Sequence, residues 1–295
     1  MEWLWGLEIF LWYACEQKCN FCFQKDLRYD EPKFLNKEYV NWLILKWSSE
    51  WKKSIIFSWG EATLDKNLLH YVQFAKSLWF NDIRIHTNWL TFANKDFLDW
   101  FIKEWVTAVI LSIHWYKVVH DILVKKEWAF LKVQQTLLNL REIKKSNPDF
   151  VIDTNTVITK LNYKTLASLF KFLSYFPITR SQIVQLYSLN LFSAQEKKGL
   201  YVSYDDFWKY IWKILELNSQ ITFENFPLCK VNNQYWTNIL QRQKYDNEAY
   251  WNMWIWFEES DCMHIDSCKQ CPEKSNCTGI PKDYLDIFPS EIFKL

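Results

Sequence analysis

Glycine is the residue that this sequence most clearly lacks. It has 4 glycines in 295 residues, whereas an ordinary protein of this length has about 20. Tryptophan, which is usually rare, occurs 19 times, so the two residue types together approach a normal glycine content. A chain with so few glycines has few residues that adopt left-handed backbone without strain or let a ligand approach the backbone closely.

Other absences exclude several classes of partner. The formal net charge is +1, from 35 basic and 34 acidic residues, and neither half is strongly basic, so we expect no nucleic-acid partner. The first residues lack the basic region of a signal peptide, and no apolar run reaches the roughly 18 residues of a membrane span. We therefore expect a cytoplasmic protein without membrane contact, in a reducing and anaerobic setting. Its eight cysteines are expected to bind metal rather than form disulfides.

The tryptophans stand where glycine is expected. Trp59, Trp89 and Trp115 each follow an apolar strand-like segment, where the backbone must turn tightly or approach a ligand. We predict that many tryptophans are glycines in the living organism, because some bacteria decode UGA as glycine and a common alternative table translates it as tryptophan. Two alternatives remain. The protein could be truly rich in tryptophan, or the tryptophan chain could be inert because Trp59 and Trp115 block a ligand pocket.

Six apolar strand-like segments alternate with helical segments of about 10–15 residues. This alternation predicts βαβ units and a parallel sheet, and six units predict an α/β fold with a partial (β/α)6 barrel like part of a TIM barrel. The predicted strands are residues 7–14, 54–58, 82–87, 107–113, 150–159 and 182–186. The predicted helices are residues 36–50, 67–78, 95–104, 129–145, 163–175 and 205–217, and Asn36 is a plausible N-cap of the first.

The alternation of strands and helices stops near residue 219. Five of the eight cysteines follow this point, and the last four have the spacing C-x5-C-x2-C-x5-C. We predict a barrel domain over residues 1–218 and a small cysteine-rich extension over residues 219–295. About 80 residues with few clear elements need an additional stabilising cross-link, and a metal site would supply one.

Three cysteines follow the first predicted strand with the spacing C-x3-C-x2-C: Cys15, Cys19 and Cys22. Three thiolates can hold three irons of a [4Fe–4S] cluster and leave the fourth iron open for a substrate or cofactor. A zinc loop is the alternative. The next strand ends in Trp59-Gly60-Glu61, and polar residues end the following strands: Asn88, Ser112, His114 and Asn155. Parallel strands collect their active-site residues at this edge.

The cysteine spacing and the Glu61 turn resemble the radical S-adenosylmethionine (SAM) superfamily. The resemblance implies a SAM molecule on the open iron, with the Trp59-Gly60-Glu61 turn bonding the methionine amine as the family's Gly-Gly-Glu-Pro motif does. Ala62 replaces the usual proline. It further implies that Phe21 packs against the adenine and that Asn88, Ser112, His114 and Asn155 contact SAM or substrate. No catalytic residue is assigned.

The cysteine-rich end resembles the auxiliary-cluster extensions of the SPASM or shorter Twitch type. Cys268, Cys271 and Cys277 match the centre of that pattern, whereas Pro281 stands where the next cysteine is expected. The resemblance implies one second [4Fe–4S] cluster, with Cys229 or Cys262 as its fourth ligand. Zinc bound by four thiolates is the alternative.

We therefore expect a radical SAM enzyme that cleaves SAM to a 5′-deoxyadenosyl radical and abstracts a hydrogen atom from a substrate. Such extensions often accompany peptide modification, so a peptide or protein is the first expected substrate, and a small molecule or nucleobase is the alternative. The electron would come from a donor such as ferredoxin or flavodoxin. A non-catalytic iron–sulfur or zinc protein is the alternative from another class.

Overall fold

A parallel sheet of consecutive strands organises the chain. The computed structural model describes residues 7–11, 14–22, 24, 35–103, 105–186, 192–215, 220–231, 233–240 and 262–291. Its strands follow one another in the order β1 to β8, each parallel to the next. The strands are β1 Leu7–Phe10, β2 Ser54–Ser58, β3 Asp82–Thr87, β4 Ala108–Ser112, β5 Val151–Ile158, β6 Arg180–Gln185, β7 Ile221–Glu224 and β8 Ile239–Leu240. Within the described ranges β1 and β8 do not pair, so the sheet is open.

Helices connect the strands, as a parallel sheet requires. They are α1 Lys37–Ser49, α2 Leu68–Ser77, α3 Lys95–Lys103, α4 Val118–Val124, α5 Ala129–Ser146, α6 Leu166–Leu173, α7 Ala194–Leu200 and α8 Tyr204–Leu215. Asn36 caps α1, because its side chain accepts hydrogen bonds from the backbone amides of Glu38 and Tyr39. None of the helices in these ranges is long and apolar enough to cross a membrane.

The open, partial barrel-like α/β fold predicted from the sequence is confirmed. All six predicted strands are present, and the sheet continues further than expected. The seventh strand, β7, begins two residues after the predicted domain boundary and pairs with β6. The boundary itself, at residues 218 and 219, falls outside the described residues and stays a prediction.

The two faces of the sheet differ in chemistry. Alternate strand residues such as Ile55, Phe57 and Ile85 are fully buried and share one hydrophobic cluster with helix residues such as Leu43 and Val72. The other face is polar. Because side chains alternate along a strand, it presents a set of residues that bind one another or remain available to a ligand: Glu8, Ser58, Arg84, His86, Ser112, Asp153, Asn155 and Gln182.

A group of buried ion pairs lies on the polar face at the amino ends of β3, β5 and β6. Arg84 bonds Asp82 through Nε (2.9 Å) and Asp153 through Nη1 (3.1 Å). Arg180 binds the same Asp153 carboxylate at 2.6 Å. Polar layers at this end of a parallel sheet serve stability, whereas the carboxyl end holds the site.

Six tryptophans have left-handed backbone. Among the described residues, nine that are not glycine have positive φ, a conformation that is uncommon for any side chain and a genuine outlier for a bulky one. Two-thirds of them are tryptophans, with φ between 62° and 84°: Trp51, Trp59, Trp79, Trp89, Trp105 and Trp128.

Two of these tryptophans complete Schellman motifs at helix ends. After α2, the amide of Trp79 donates to the carbonyl of Lys76 (3.0 Å) and that of Phe80 to the carbonyl of Ala75 (3.2 Å). The same pair of bonds follows α1 around Trp51. The residue at this position of the motif is usually glycine, yet the indoles of Trp51 and Trp79 are 83% and 80% exposed.

The cysteine-rich end packs against the start of α8. It contains a short antiparallel pair, β9 Cys262–Met263 with β10 Ile280–Pro281, and a final helix, α9 Lys282–Leu285. Tyr284 is buried and stacks on Tyr204 with ring centroids 4.3 Å apart. Its hydroxyl also accepts a hydrogen bond from the Tyr204 amide (2.7 Å). These contacts attach the extension to the sheet.

Candidate active site

The three cysteines of the first motif lie on a loop at the carboxyl end of β1. Cys15, Cys19 and Cys22 are all partly buried, and none of the three forms a disulfide. Two backbone amides of the loop donate to the carbonyl oxygens of Leu123 (2.9 Å) and Val124 (3.0 Å) at the end of α4. The loop is therefore fixed at both the sheet and a helix, with its thiols on one short segment.

The turn after β2 lies directly beside this loop. Trp59 and Gly60 both adopt left-handed backbone, with φ of 70° and 55°. The following amide, that of Glu61, donates to the carbonyl of Ala14 (2.6 Å), and the Gly60 amide donates to Gln24 Oε1 (3.3 Å). The structure thus brings the first and second sequence motifs together.

Glu61 is buried and accepts hydrogen bonds from the chain itself. Its Oε1 accepts from the Thr63 hydroxyl (2.6 Å), the Thr63 amide (3.2 Å) and the Thr87 hydroxyl (2.7 Å), and its Oε2 accepts from the Asn88 amide (2.6 Å). Burial raises the pKa of Glu61 to about 7, although these hydrogen bonds act in the opposite direction. Glu61 therefore joins the turn after β2 to the end of β3, and its role as a SAM ligand stays a prediction.

Asn88 extends this connection to the cysteine loop. Its side-chain Nδ2 lies 3.6 Å from Cys15 Sγ and 3.1 Å from Glu16 Oε2, and donates to both. Its Oδ1 accepts from the Leu90 amide (3.2 Å). The family resemblance implied that Asn88 contacts SAM or substrate, whereas in the structure its side-chain amide contacts Cys15.

Polar side chains at the carboxyl ends of β3, β4 and β5 meet on the polar face of the sheet. His86 Nε2 lies 3.1 Å from Ser112 Oγ, and Ser112 is paired in register with Asn155. The Oδ1 atom of Asn155 is buried without a hydrogen bond to any described residue. His114 Nδ1 accepts from the Val157 amide (3.2 Å). The predicted residues of β3, β4 and β5 therefore lie along one edge.

Phe21 packs edge-on against His114, with ring centroids 4.5 Å apart. It is buried in the core cluster, so a contact with adenine stays a prediction. His114 also lies parallel to His120 at 6.0 Å. Burial lowers the pKa of His86 and of His120 to about 4, and lowers that of His114 well below its usual value. All three rings are therefore neutral at pH 7.

Three tryptophan side chains fill the carboxyl edge. Trp59 stacks on Phe10 with centroids 4.1 Å apart, and Trp115 is 8% exposed. Trp89 is fully buried, and its Nε1 has no acceptor among the described residues. A buried indole N–H usually finds a partner, so Trp89 combines a strained backbone with an unsatisfied donor.

Two carboxylates on the inner face were missed by sequence analysis. Glu8 lies on β1 and Glu224 on β7. Burial raises the pKa of Glu8 to about 7, and the charge of Glu224 adds to this shift. Gln182 donates to the Glu224 carboxylate. The available signal was a glutamate within an otherwise apolar strand, at residues 7–11.

The extension brings four cysteines to one pocket: Cys229, Cys268, Cys271 and Cys277. Cys262, the other candidate for the fourth ligand, lies on β9 and does not line this pocket. Burial raises the pKa of the Cys229 thiol to about 12, and the neighbouring Cys277 and Cys268 thiols add to the effect. Across the described ranges, no group of three or more His, Cys, Asp or Glu side chains is arranged to hold a metal ion.

Gly279 shapes the turn behind this pocket. Its φ is +87°, and a Cβ there would lie 2.8 Å from the carbonyl oxygen of Met263. Its amide donates to Cys277 Sγ (3.4 Å). Only glycine fits this position without strain, so the turn places a backbone donor against one thiol of the pocket.

The match to a known protein family covers the part of the chain that holds the cysteine loop and the Glu61 turn. The profile of the Radical SAM superfamily matches residues 9–173, and no curated protein matches the sequence. Among solved structures, SuiB of Streptococcus suis bound to SAM is similar, with a TM-score of 0.55, 15% identity and coverage of 75% of this chain and 50% of SuiB. The chain thus spans about half the length of SuiB.

Two further structures share the fold. Native anSMEcpe with bound SAM has a TM-score of 0.58 at 16% identity, covering 72% of this chain and 59% of its own. Methylornithine synthase (PylB) has a TM-score of 0.54 at 13% identity, covering 75% of this chain and 64% of its own. The profile match extends over more than half of the sequence, through the cysteine loop and the first five strands. The chain belongs to the radical SAM superfamily of enzymes.

Proposed function

We propose that the chain reductively cleaves SAM to a 5′-deoxyadenosyl radical that abstracts a hydrogen atom from a bound substrate. The observation that carries this proposal is the contact of three parts at one edge of the sheet: the cysteine loop, the Glu61 turn and Asn88. Three partly buried thiols on one loop supply the ligand type and number for a [4Fe–4S] cluster with an open iron, and Cys15, Cys19 and Cys22 would hold it. When bound, the cluster supplies the electron for SAM cleavage.

The residues around the loop supply position and hydrogen bonds. Glu61 and Asn88 fix the loop relative to β2 and β3. His114 accepts a backbone hydrogen bond at Nδ1, so in its neutral form Nε2 carries the proton and is a donor. We assign that donor to a polar group of SAM or of the substrate. Phe21 covers the ring and keeps water from it.

The test is production of 5′-deoxyadenosine by the full chain, reconstituted with iron and sulfide and supplied with SAM and dithionite in the absence of oxygen. Dithionite replaces the natural donor, which we propose to be a ferredoxin or flavodoxin. We expect release in the chain with glycine in place of the six left-handed tryptophans and none in its Cys22→Ala variant, which cannot hold the cluster. A reconstituted four-iron cluster without any cleavage of SAM would instead support a non-catalytic iron–sulfur protein.

A peptide is the substrate that we propose. Two similar structures contain peptides: SuiB with the precursor peptide SuiA, and anSMEcpe with a Cp18Cys peptide. The cysteine-rich end packs on the start of α8 through Tyr284 and Tyr204, and we assign it a part in peptide binding. The similarity to methylornithine synthase keeps a small-molecule substrate as the second candidate. Deuterium transferred into 5′-deoxyadenosine from a deuterated peptide would support the first candidate. Transfer from a deuterated small molecule would support the second.

For the extension we propose a second [4Fe–4S] cluster, of SPASM or Twitch type, with Cys229 as its fourth ligand. The support is the pocket that Cys229 shares with Cys268, Cys271 and Cys277 and that excludes Cys262. Two clusters would give about eight irons per chain. We expect Cys229→Ala to lose about half of the iron and Cys262→Ala to keep it. About four irons with one zinc in the parent chain would make the extension a structural zinc site.

We also propose that the left-handed tryptophans are glycines in the native protein, through UGA codons read as glycine. Six tryptophans have φ near the value that glycine adopts readily. Two of them occupy the glycine position of a Schellman motif, and Trp59 stacks on Phe10 beside the cysteine loop, where SAM would bind. Replacing an indole there by hydrogen opens space at the cysteine loop.

The codons and the native protein test this proposal directly. We expect UGA at the six left-handed positions, and peptide masses of protein purified from its source that correspond to glycine. UGG codons at these six positions would disprove it. The tryptophan chain and the chain with glycine at these positions should also differ in SAM affinity, because the second lacks the Trp59 indole that stacks on Phe10 beside the cysteine loop.

A further inference from the structure

Asn88 occupies a position between two elements of the site. Its backbone amide donates to Glu61 Oε2 (2.6 Å), and its side chain donates to Cys15 Sγ (3.6 Å) and Glu16 Oε2 (3.1 Å). Asn88 is 6% exposed, so solvent competes little for these bonds. The amide is thus a buried hydrogen-bond donor directed at a thiol that is predicted to bind iron.

The orientation of this amide follows from its other partner. The two ends of an asparagine amide are hard to distinguish by shape, and the hydrogen-bond network assigns them. Here the carbonyl end accepts from the Leu90 amide (3.2 Å), which is a donor only. A flipped side chain would place two N–H groups against that amide and an oxygen against the Glu16 carboxylate. Nδ2 therefore points to the cysteine loop.

We propose that Asn88 raises the reduction potential of the first cluster by donating a hydrogen bond to the Cys15 thiolate. Hydrogen bonds to cluster sulfurs are one of the factors that set the potential of iron–sulfur proteins. Reduction adds negative charge to the cluster, and the positive end of an N–H dipole 3.6 Å from Cys15 Sγ stabilises that charge. The inference rests on the proposed function, because it needs the cluster to form on this loop.

Glu61 is the positioning residue for this donor. It binds the Asn88 amide and the Thr87 hydroxyl at the end of β3, and the Thr63 hydroxyl in its own turn. These bonds fix the backbone on which the Asn88 side chain stands. The turn after β2, the strand next to β1, thus holds the end of β3 that carries the Asn88 donor.

Two substitutions remove the donor in different ways. Asn88→Leu removes both ends of the amide without adding charge. Asn88→Asp keeps an acceptor for the Leu90 amide, and with it the local turn, but has no N–H to donate. Asn81→Asp is the matched control, because Asn81 is exposed and precedes β3 at the opposite end of the strand.

The measurement is the midpoint potential of the first cluster in the full chain without SAM, by redox titration followed by electron paramagnetic resonance. The signal that changes when SAM is later added identifies the cluster with the open iron. The titration is done in the chain with tryptophan and in the chain with glycine at the six left-handed positions. We expect the midpoint to shift to more negative values in Asn88→Leu and Asn88→Asp and to stay unchanged in Asn81→Asp.

The outcomes separate this inference from the proposed function. An unchanged SAM-free midpoint in both Asn88 variants, with the iron content of the parent, overturns the inference, and weaker SAM binding alone would then assign Asn88 to SAM. Loss of the cluster in both variants also overturns it, because Asn88 would then hold the loop rather than tune the potential. If neither the tryptophan chain nor the glycine chain forms a SAM-responsive cluster, the proposed function itself fails.

Discussion

At the scale of single residues, left-handed tryptophans oppose folding. Trp79 has φ of 68° and is 80% exposed, so its indole gains little from burial, while its Cβ strains the backbone by about 1–2 kcal/mol. Glycine removes the strain but increases the entropy of the unfolded chain. We therefore expect Trp79→Gly to raise the free energy of unfolding by about 1 kcal/mol, measured by urea denaturation.

Trp42 provides the matched control, because the same substitution there should have the opposite sign. It lies inside α1 and is 48% exposed. Glycine within a helix is less favourable than other residues by up to about 1 kcal/mol, so Trp42→Gly should lower the free energy of unfolding. Destabilisation by both substitutions would show that the backbone of Trp79 is not strained.

A buried histidine makes the free energy of unfolding depend on pH. Burial lowers the pKa of His120 to about 4 from its ordinary 6.5, so the unfolded chain binds a proton at higher pH than the folded chain. The stability contribution is complete above pH 6.5 and is lost as the pH falls towards 4. We expect His120→Gln to reduce the decline of the unfolding free energy between pH 6.5 and 4.5, measured by urea denaturation at several pH values.

His70 is the comparison for this experiment. Burial lowers its pKa as well, but the ring is partly exposed and bonds Asn41 (3.0 Å) at the surface of α1. His70→Gln should leave most of the acid dependence in place. If His120→Gln shows the same slope as the parent chain, then a different buried group controls the response.

At the scale of elements, the strands and helices with a strong hydrophobic period could be predicted from the sequence. The short elements could not. The apolar runs of β2 to β6 and the cap at Asn36 are local features, and the structure confirms them. β7 has four residues, and α4 has seven. Neither is long enough to show a clear hydrophobic period. β7 is a strand because it pairs with β6, and such a tertiary contact cannot be read from the local sequence.

The buried ion pairs of the polar face give a prediction for the sheet. Asp153 is shared by Arg84 and Arg180, and removing one partner of a buried pair leaves charge with less compensation. Because Arg84 keeps Asp82, we expect Asp153→Ala to cost about 3 kcal/mol of unfolding free energy, measured by urea denaturation. Asp149→Ala is the control, since Asp149 is exposed in the preceding loop. A small effect at Asp153 would show that water enters this layer.

At the scale of the whole molecule, the sequence predicted where the site lies better than what its residues contact. Strand ends of a parallel sheet must converge, so Cys15, Glu61 and Asn88 were expected near one another. Their partners depend on tertiary geometry: Glu61 binds Asn88 and two threonines. In the same way, Cys229 follows β7 and lines one pocket with Cys268, a contact between residues that are far apart in the sequence.

The attachment of the extension gives the last prediction. Tyr284 is fully buried, stacks on Tyr204 and accepts its amide hydrogen bond, so Tyr284→Ala creates a cavity at the junction and removes this acceptor. We expect a loss of about 3–5 kcal/mol in unfolding free energy and loss of the metal bound by the extension, while the SAM-responsive signal remains. Tyr175→Ala, at a residue that is 69% exposed, should change neither. If Tyr284→Ala retains all the metal, the four cysteines form their site without support from the sheet, and the extension is an independent unit.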